Sequence, residues 1–392
     1  MKLWLLLAVA VATGTNVASA QFKLPKKLDE LEQIVRKDSN DAAAHYNLAL
    51  GYWNAKRWGD VERELRLAVT IEPQFAEGWL ALSRLPFGER TKLWDDIAER
   101  RVSDEFRPKL EESWRNYQRA FIINPLVDLR IEAGARPAKS IYWTANEFLS
   151  DTYDYIFGGF DDIQSGRYQE AYNRFNRLIE DRLIPSEREG FADFVYFYRG
   201  LAAAHIERWH EAILDFGFLL DRSEGARHPD SLLYYIPIET NQYRYILGVL
   251  NQRAGNLEES VRYFREALEN DIGLYMANAR LAAIAETNMN WPAAIKERRA
   301  AVNANPDDPS LLLDLGKALA GSGDWAGAEQ TLKQAREANP RDSRVPYYLG
   351  IVQQQLNKKE EARASFDRFI ALAPSRYARQ VDNAKQRLAA LR

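Results

Sequence analysis

Between Pro309 and Pro340 apolar residues recur at Leu312, Leu315 and Leu319 and then at Ala328, Leu332 and Ala335, the second set with only polar residues between its members. Spacings of this kind place each set on one face of a helix, so the stretch predicts two helices joined by a turn around Gly323 and Trp325. The arrangement recurs along the chain. Gly248, Ala282, Gly316 and Gly350 each lie 34 positions from the next, and Ser260, Ala294, Ala328 and Ala362 keep the same step in a second register. A fixed period of this size marks a stacked array, in which each helical hairpin buries its apolar face against its neighbours. Small residues at Gly316 and Ala328 let two antiparallel helices approach closely, Trp325 plugs the turn, and Pro340 ends the second helix.

These positions resemble the tetratricopeptide repeat, whose pattern runs aromatic or Leu, Leu, Gly or Ala, Tyr, then Ala, Phe, Ala and Pro. The resemblance implies an all-α, right-handed α-solenoid of helix-turn-helix units. Asp41 to Pro73 fits with Leu48, Ala49, Tyr52, Leu65, Ala68 and Pro73. A second unit begins with Trp79, Leu82 and Ser83, but its partner helix, around Trp114, Tyr117, Ala120 and Pro125, arrives about 18 residues late. Further units centre on Gly159 with Tyr168, Ala171 and Phe175, and on Gly200 with Trp209, Ala212 and Phe216. The run is then regular through Gly248, Ala282, Gly316 and Gly350, the last with Ala362, Phe366 and Pro374. This gives about eight units. Leu28 to Lys37, with Leu28, Leu31, Ile34 and Val35 on one face, predicts an N-terminal half unit, and Tyr377 to Leu391 a C-terminal capping helix. A soft boundary near Ser150 separates a front block of two units, residues 21–150, from a rear block of six, residues 151–392.

Residues 1–20 carry a different pattern. Lys2 gives a charged start, Leu3 to Ala12 an apolar run too short to span a bilayer, and Ala18-Ser19-Ala20 a small-residue cleavage site before Gln21. This predicts export by a cleaved signal peptide, to the periplasm or beyond the cell. The formal net charge is −3, a balance that predicts no binding to nucleic acid or anionic lipid. No later apolar stretch has the length of a transmembrane helix. Cysteine is absent, which excludes disulfides, thiolate metal sites and a cysteine nucleophile. An exported chain held together by packing alone fits a bacterial envelope better than a eukaryotic secreted domain.

Three insertions interrupt the array: Pro86 to Pro108, with Trp94 and Phe106; Leu126 to Ser150, with Ile141, Tyr142, Trp143, Phe148 and Leu149; and Ser223 to Thr240, with Leu232 to Ile238. Segments this apolar pack on something, either the array's own surface or a partner. Chemistry is sparse by comparison. His45, His205, His210 and His228 form no metal-binding helical motif; His205 and His210 flank a turn, and adjacent acids such as Asp95 and Asp96, or Asp161 and Asp162, point in different directions. No nucleophile elbow, phosphate loop or dinucleotide fingerprint is present, so the expectation is a chain without enzymatic activity, cofactor or metal.

The resemblance implies a binding place instead. In tetratricopeptide proteins the first helices of successive units line a concave groove that receives peptides or short helices. Transferred to this chain, the groove positions are Tyr46, Trp53, Tyr153, Ile156, Phe160, Phe194, Phe197, Tyr245 and Tyr347, with Tyr198 and Tyr348 beside them. Asn54 and Lys317 are the isolated polar groups there, which disfavours a carboxylate clamp. Aromatic side chains suit a surface that buries an apolar or extended segment of another protein. An insertion filling the groove, superhelical burial of the rings, or stacking on a glycan are the alternatives.

Overall fold

The computed structural model describes residues 27–89, 103–104, 106–127, 158–159, 162–163, 166–181, 189–225 and 240–391. The boundary near Ser150, the signal peptide, and most of the second and third insertions lie outside these residues. The described chain forms α1 (Leu28–Lys37), α2 (Ala42–Asn54), α3 (Trp58–Ile71), α4 (Ala76–Glu89), α5 (Arg107–Ile123), α6 (Tyr168–Glu180), α7 (Glu189–His205), α8 (Trp209–Gly225) and α9 (Thr240–Ala254). It continues through α10 (Leu257–Asn270), α11 (Tyr275–Thr287), α12 (Trp291–Ala304), α13 (Pro309–Ser322), α14 (Trp325–Ala338), α15 (Arg344–Gln355), α16 (Lys359–Leu372), a 3-10 turn (Ser375–Tyr377) and α17 (Ala378–Ala390). No strand occurs among the described residues.

The chain is thus all-α, and its helices pack as hairpins, α2 with α3, α7 with α8, α9 with α10, α11 with α12, α13 with α14 and α15 with α16. The expected end elements are present, α1 packing on α2 and α17 on α16. The chain divides into two compact units. Unit 1 comprises Met1–Leu82 with Gly273–Arg392, and unit 2 comprises Ser83–Ile272.

The described hairpin turns share one construction. One residue takes a left-handed backbone: Gly166, Gly255 and Gly323, and in equivalent turns Lys56, Glu207, Met289 and Asn357. The following N–H reaches back to a carbonyl of the first helix, as in Asp324 to Leu319 at 3.0 Å and Asn256 to Asn251 at 2.9 Å. This closure satisfies a carbonyl that the helix end would leave unpaired. Aspartates start several helices, with Asp41 accepting from the Ala43 N–H, Asp308 from Ser310 and Asp324 from Gly327.

The small residue in each first helix sits directly under a large side chain of the second. A Cβ added at Gly248 would lie 2.5 Å from the Phe264 ring, at Gly316 2.7 Å from Leu332, at Gly350 2.7 Å from Phe366, and at Gly200 2.9 Å from Phe216. Phe264, Leu332, Phe366 and Phe216 are wholly buried. Gly248→Val is therefore expected to destabilise the protein by about 1–3 kcal/mol, since a close-packed core cannot admit the added volume. Gly217→Ala, where an added Cβ meets nothing within 4 Å, should instead leave stability unchanged or raise it by up to about 1 kcal/mol. Thermal melts of the two variants check both.

Candidate interaction site

The predicted groove residues separate into core and surface. Tyr245 on α9 is wholly buried. Its hydroxyl donates to the Ile122 carbonyl at 2.6 Å, and its ring lies 6.2 Å from Phe121 and 5.9 Å from Phe264. The C-terminal end of α5 thus occupies the groove position, and Tyr245 is a core residue rather than a binding one. Trp53 is likewise buried, edge-on to Trp58 at 5.3 Å. Tyr347 is half-buried beneath α17, with its ring 4.9 Å from Phe369 and its hydroxyl 3.0 Å from Asn383 Oδ1. Tyr46 packs edge-on against Phe75 at 5.1 Å.

Phe197, Tyr198 and Tyr348 remain half-buried at the first-helix face. Phe197 lies edge-on to Phe216 at 5.4 Å, and Tyr198 stacks on Phe175 at 6.2 Å. Tyr153, Ile156 and Phe160, and the side chain of Phe194, lie outside the described residues. Trp114, 44% exposed on α5, stacks on Tyr117 at 5.6 Å.

Beside Tyr348 in unit 1 is a polar feature that the repeat template does not contain. In the unit of Ala282 the position that elsewhere carries Phe264, Leu332 or Phe366 is Arg298. Its side chain is only 8% exposed. Arg298 donates to Glu286 at 2.8 and 3.0 Å and to Asp314 at 3.3 Å. Asp314 also accepts from Lys317 at 2.8 Å, and the Lys317 ammonium stands 5.6 Å from the Tyr348 ring centroid. A buried cation is tolerable only when paired and hydrogen-bonded, which this chain of charges achieves. Burial pushes Asp314 up, but Lys317 and Arg298 outweigh it and hold the carboxyl well below its ordinary range. Lys317 is 31% exposed, so the network ends at the surface in a cation beside an aromatic ring.

His45 is buried with Nδ1 2.6 Å from Glu64, His205 stacks on Tyr168 at 4.2 Å, His210 is exposed, and His228 lies outside the described residues. Among the described residues no group of three or more His, Asp or Glu could hold a metal ion. No described helix is long and apolar enough to cross a membrane. Asp162 is buried against Arg167 and Arg174 at 2.6 and 2.7 Å, a structural ion pair.

Hairpins of this turn and this small-to-large packing define a helical-repeat protein. Tetratricopeptide repeat family models match residues 313–377 and 242–271. These two segments of the chain are tetratricopeptide repeats. It is 30% identical over 145 residues to the type IV pilus assembly protein PilF of Pseudomonas aeruginosa, a match that spans 35% of this chain and 58% of that protein. The C-terminal part of a TPR repeat-containing protein from Cytophaga hutchinsonii aligns with a TM-score of 0.47 at 13% identity, over 60% of this chain and 87% of that one. MamA from Desulfovibrio magneticus RS-1 aligns with a TM-score of 0.40 at 16% identity, over 46% of this chain and 94% of that one.

Tyr245→Ala is expected to lower stability by about 3–5 kcal/mol, as for a large core side chain, and a denaturant melt reads this directly. Acid provides a second check through Glu329, which bridges neighbouring repeats by pairing with Lys333 at 2.8 Å and accepting from Lys358 at 2.6 Å. Burial pushes its carboxyl up, but the two lysines outweigh that and hold it at about 2 against an ordinary 4.5. A folded value below the unfolded one contributes stability above about pH 4.5 that is lost as the pH falls towards about 2. Glu329→Gln should therefore destabilise at neutral pH and converge with the wild type across that window in denaturant melts.

Proposed function

We propose that this chain is an exported scaffold of the bacterial envelope that holds a segment of a partner protein on the first-helix face of its repeats, without catalysing a reaction on it. Two features support the location: the leader pattern of Lys2, Leu3 to Ala12 and Ala18-Ser19-Ala20, and the 30% identity to a type IV pilus assembly protein. The observation that carries the binding surface is the half-buried state of Tyr348 beside Lys317 on the first-helix face of unit 1, where Trp53 is already covered; within unit 2, Phe197 and Tyr198 are half-buried at corresponding first-helix positions while Tyr245 is covered. Partly covered aromatic rings supply large contact area at little rotamer loss, and Lys317 beside Tyr348 adds a charged group that selects a partner with a nearby carboxylate.

The test is a cross-linking pull-down from envelope extract with residues 21–392, comparing wild type with Phe197→Ala/Tyr348→Ala. Capture of a protein by the wild type, reduced by about tenfold or more in the double variant at unchanged helix content, is the expected result. Equal capture by both would remove these rings from the site. Capture that survives protease treatment of the extract would assign the site to a glycan instead.

A further inference from the structure

Unit 1 joins segments from opposite ends of the chain, and the seam between them is polar. Asn40, just before α2, donates to the carbonyls of Arg341 and Leu372 at 3.0 and 2.9 Å. Arg341, just before α15, returns the contact with bonds to Asn40 Oδ1 at 3.4 Å and to the Ser39 carbonyl at 2.9 Å. Asn40 and Arg341 each precede an aspartate that accepts from the start of a first helix, Asp41 from the Ala43 N–H and Asp342 from the Arg344 N–H. Equivalent positions of two repeats therefore grip each other, in the reciprocal manner of an isologous interface. Farther along, Asn339 donates to the Thr70 carbonyl at 3.0 Å and the Ser375 N–H to Asp38 at 2.8 Å. Arg376 bridges Glu72 at 2.9 Å and Asp41 at 3.3 Å.

Among the described residues, the apolar clusters on either side of the seam share no member. Ala42, Ala68 and Ile71 cluster with Tyr46 and Phe75 on the N-terminal side, while Leu349 and Phe366 belong to separate clusters that contain none of these residues. Between the two sides is a small cleft open to solvent, with Ile71, Glu72, Arg341, Arg344, Pro374 and Tyr377 among its lining residues. Each side has its own apolar cluster, so separation breaks mainly polar contacts, with Ile71 and Pro374, both buried against the cleft, as the apolar surface it exposes. Arg376, with a side chain 35% exposed, places its two ion pairs within reach of salt.

We propose that this seam is a latch: the first repeat, with α1, docks reversibly on the repeats around Asn339 to Tyr377, and opens as a folded body when the polar contacts are screened or removed. Because the chain contains no cysteine, nitroxide pairs can be placed at will. Lys37→Cys and Arg379→Cys put both labels on exposed positions. Double electron–electron resonance on the full chain should show one short distance at low salt. A longer distance should gain population at molar salt, where the Debye length shrinks to about 3 Å. It should rise by about fivefold or more when Asn40→Ala and Arg376→Ala are added, with far-ultraviolet helicity unchanged. One distance under every condition would overturn the latch. So would a longer distance that appears only together with loss of helix, because the seam would then belong to the cooperative fold.

Discussion

The contact of one small residue with one large side chain, repeated through the array, is the constraint on which the rest of the structure depends. At Gly248, Gly316 and Gly350 the first helix lies so close to Phe264, Leu332 and Phe366 that a Cβ would overlap them. That approach fixes the hairpin geometry and leaves one turn shape, with the left-handed residue at Gly255, Gly323 or Asn357. Each hairpin then presents the same two faces to its neighbours, and stability accumulates between nearest neighbours as in other solenoids. Arg298 shows the strength of the constraint. With a cation in place of the large apolar side chain, the packing survives because Glu286 and Asp314 surround the guanidinium.

The local fold was legible in the sequence because it is written in local spacing. The period of the small residues located the hairpins, Gly323 marked a turn, and the apolar face of Leu28 to Lys37 marked an end element. The fate of the groove was less legible, because it depends on segments that return from far along the chain. Nothing near Tyr245 in sequence announces that its hydroxyl will meet the Ile122 carbonyl 123 positions away. The grip of Asn40 on Arg341 spans 301 positions and leaves no periodic trace. Arg298 had a signal that the template could have exposed, an arginine in a register otherwise held by Phe and Leu.

These features narrow what the protein can offer a partner. Rings that a repeat template assigns to a groove are partly taken up by internal packing, and in unit 1 the surface that remains sets half-buried Tyr348 beside the Lys317 end of a buried ion network. In the proposed binding mode such a surface recognises a segment by shape and one charge rather than by deep apolar burial alone, which favours selective association. The polar seam adds a second level of organisation, since it couples repeats that the chain order separates. A polar contact set among apolar ones would give the array a defined place to open, as the proposed latch requires.

The division of aromatic and sulfur-bearing side chains into core and surface is the central claim, and hydroxyl-radical footprinting of the native full chain tests it most directly. Met289 and Trp114, 74% and 44% exposed, should be modified readily, with Tyr245 and Phe264, both 0% exposed, protected until the protein unfolds. Modification of Tyr245 at a rate comparable with Trp114 in the native state would contradict this division and reopen the groove at α9.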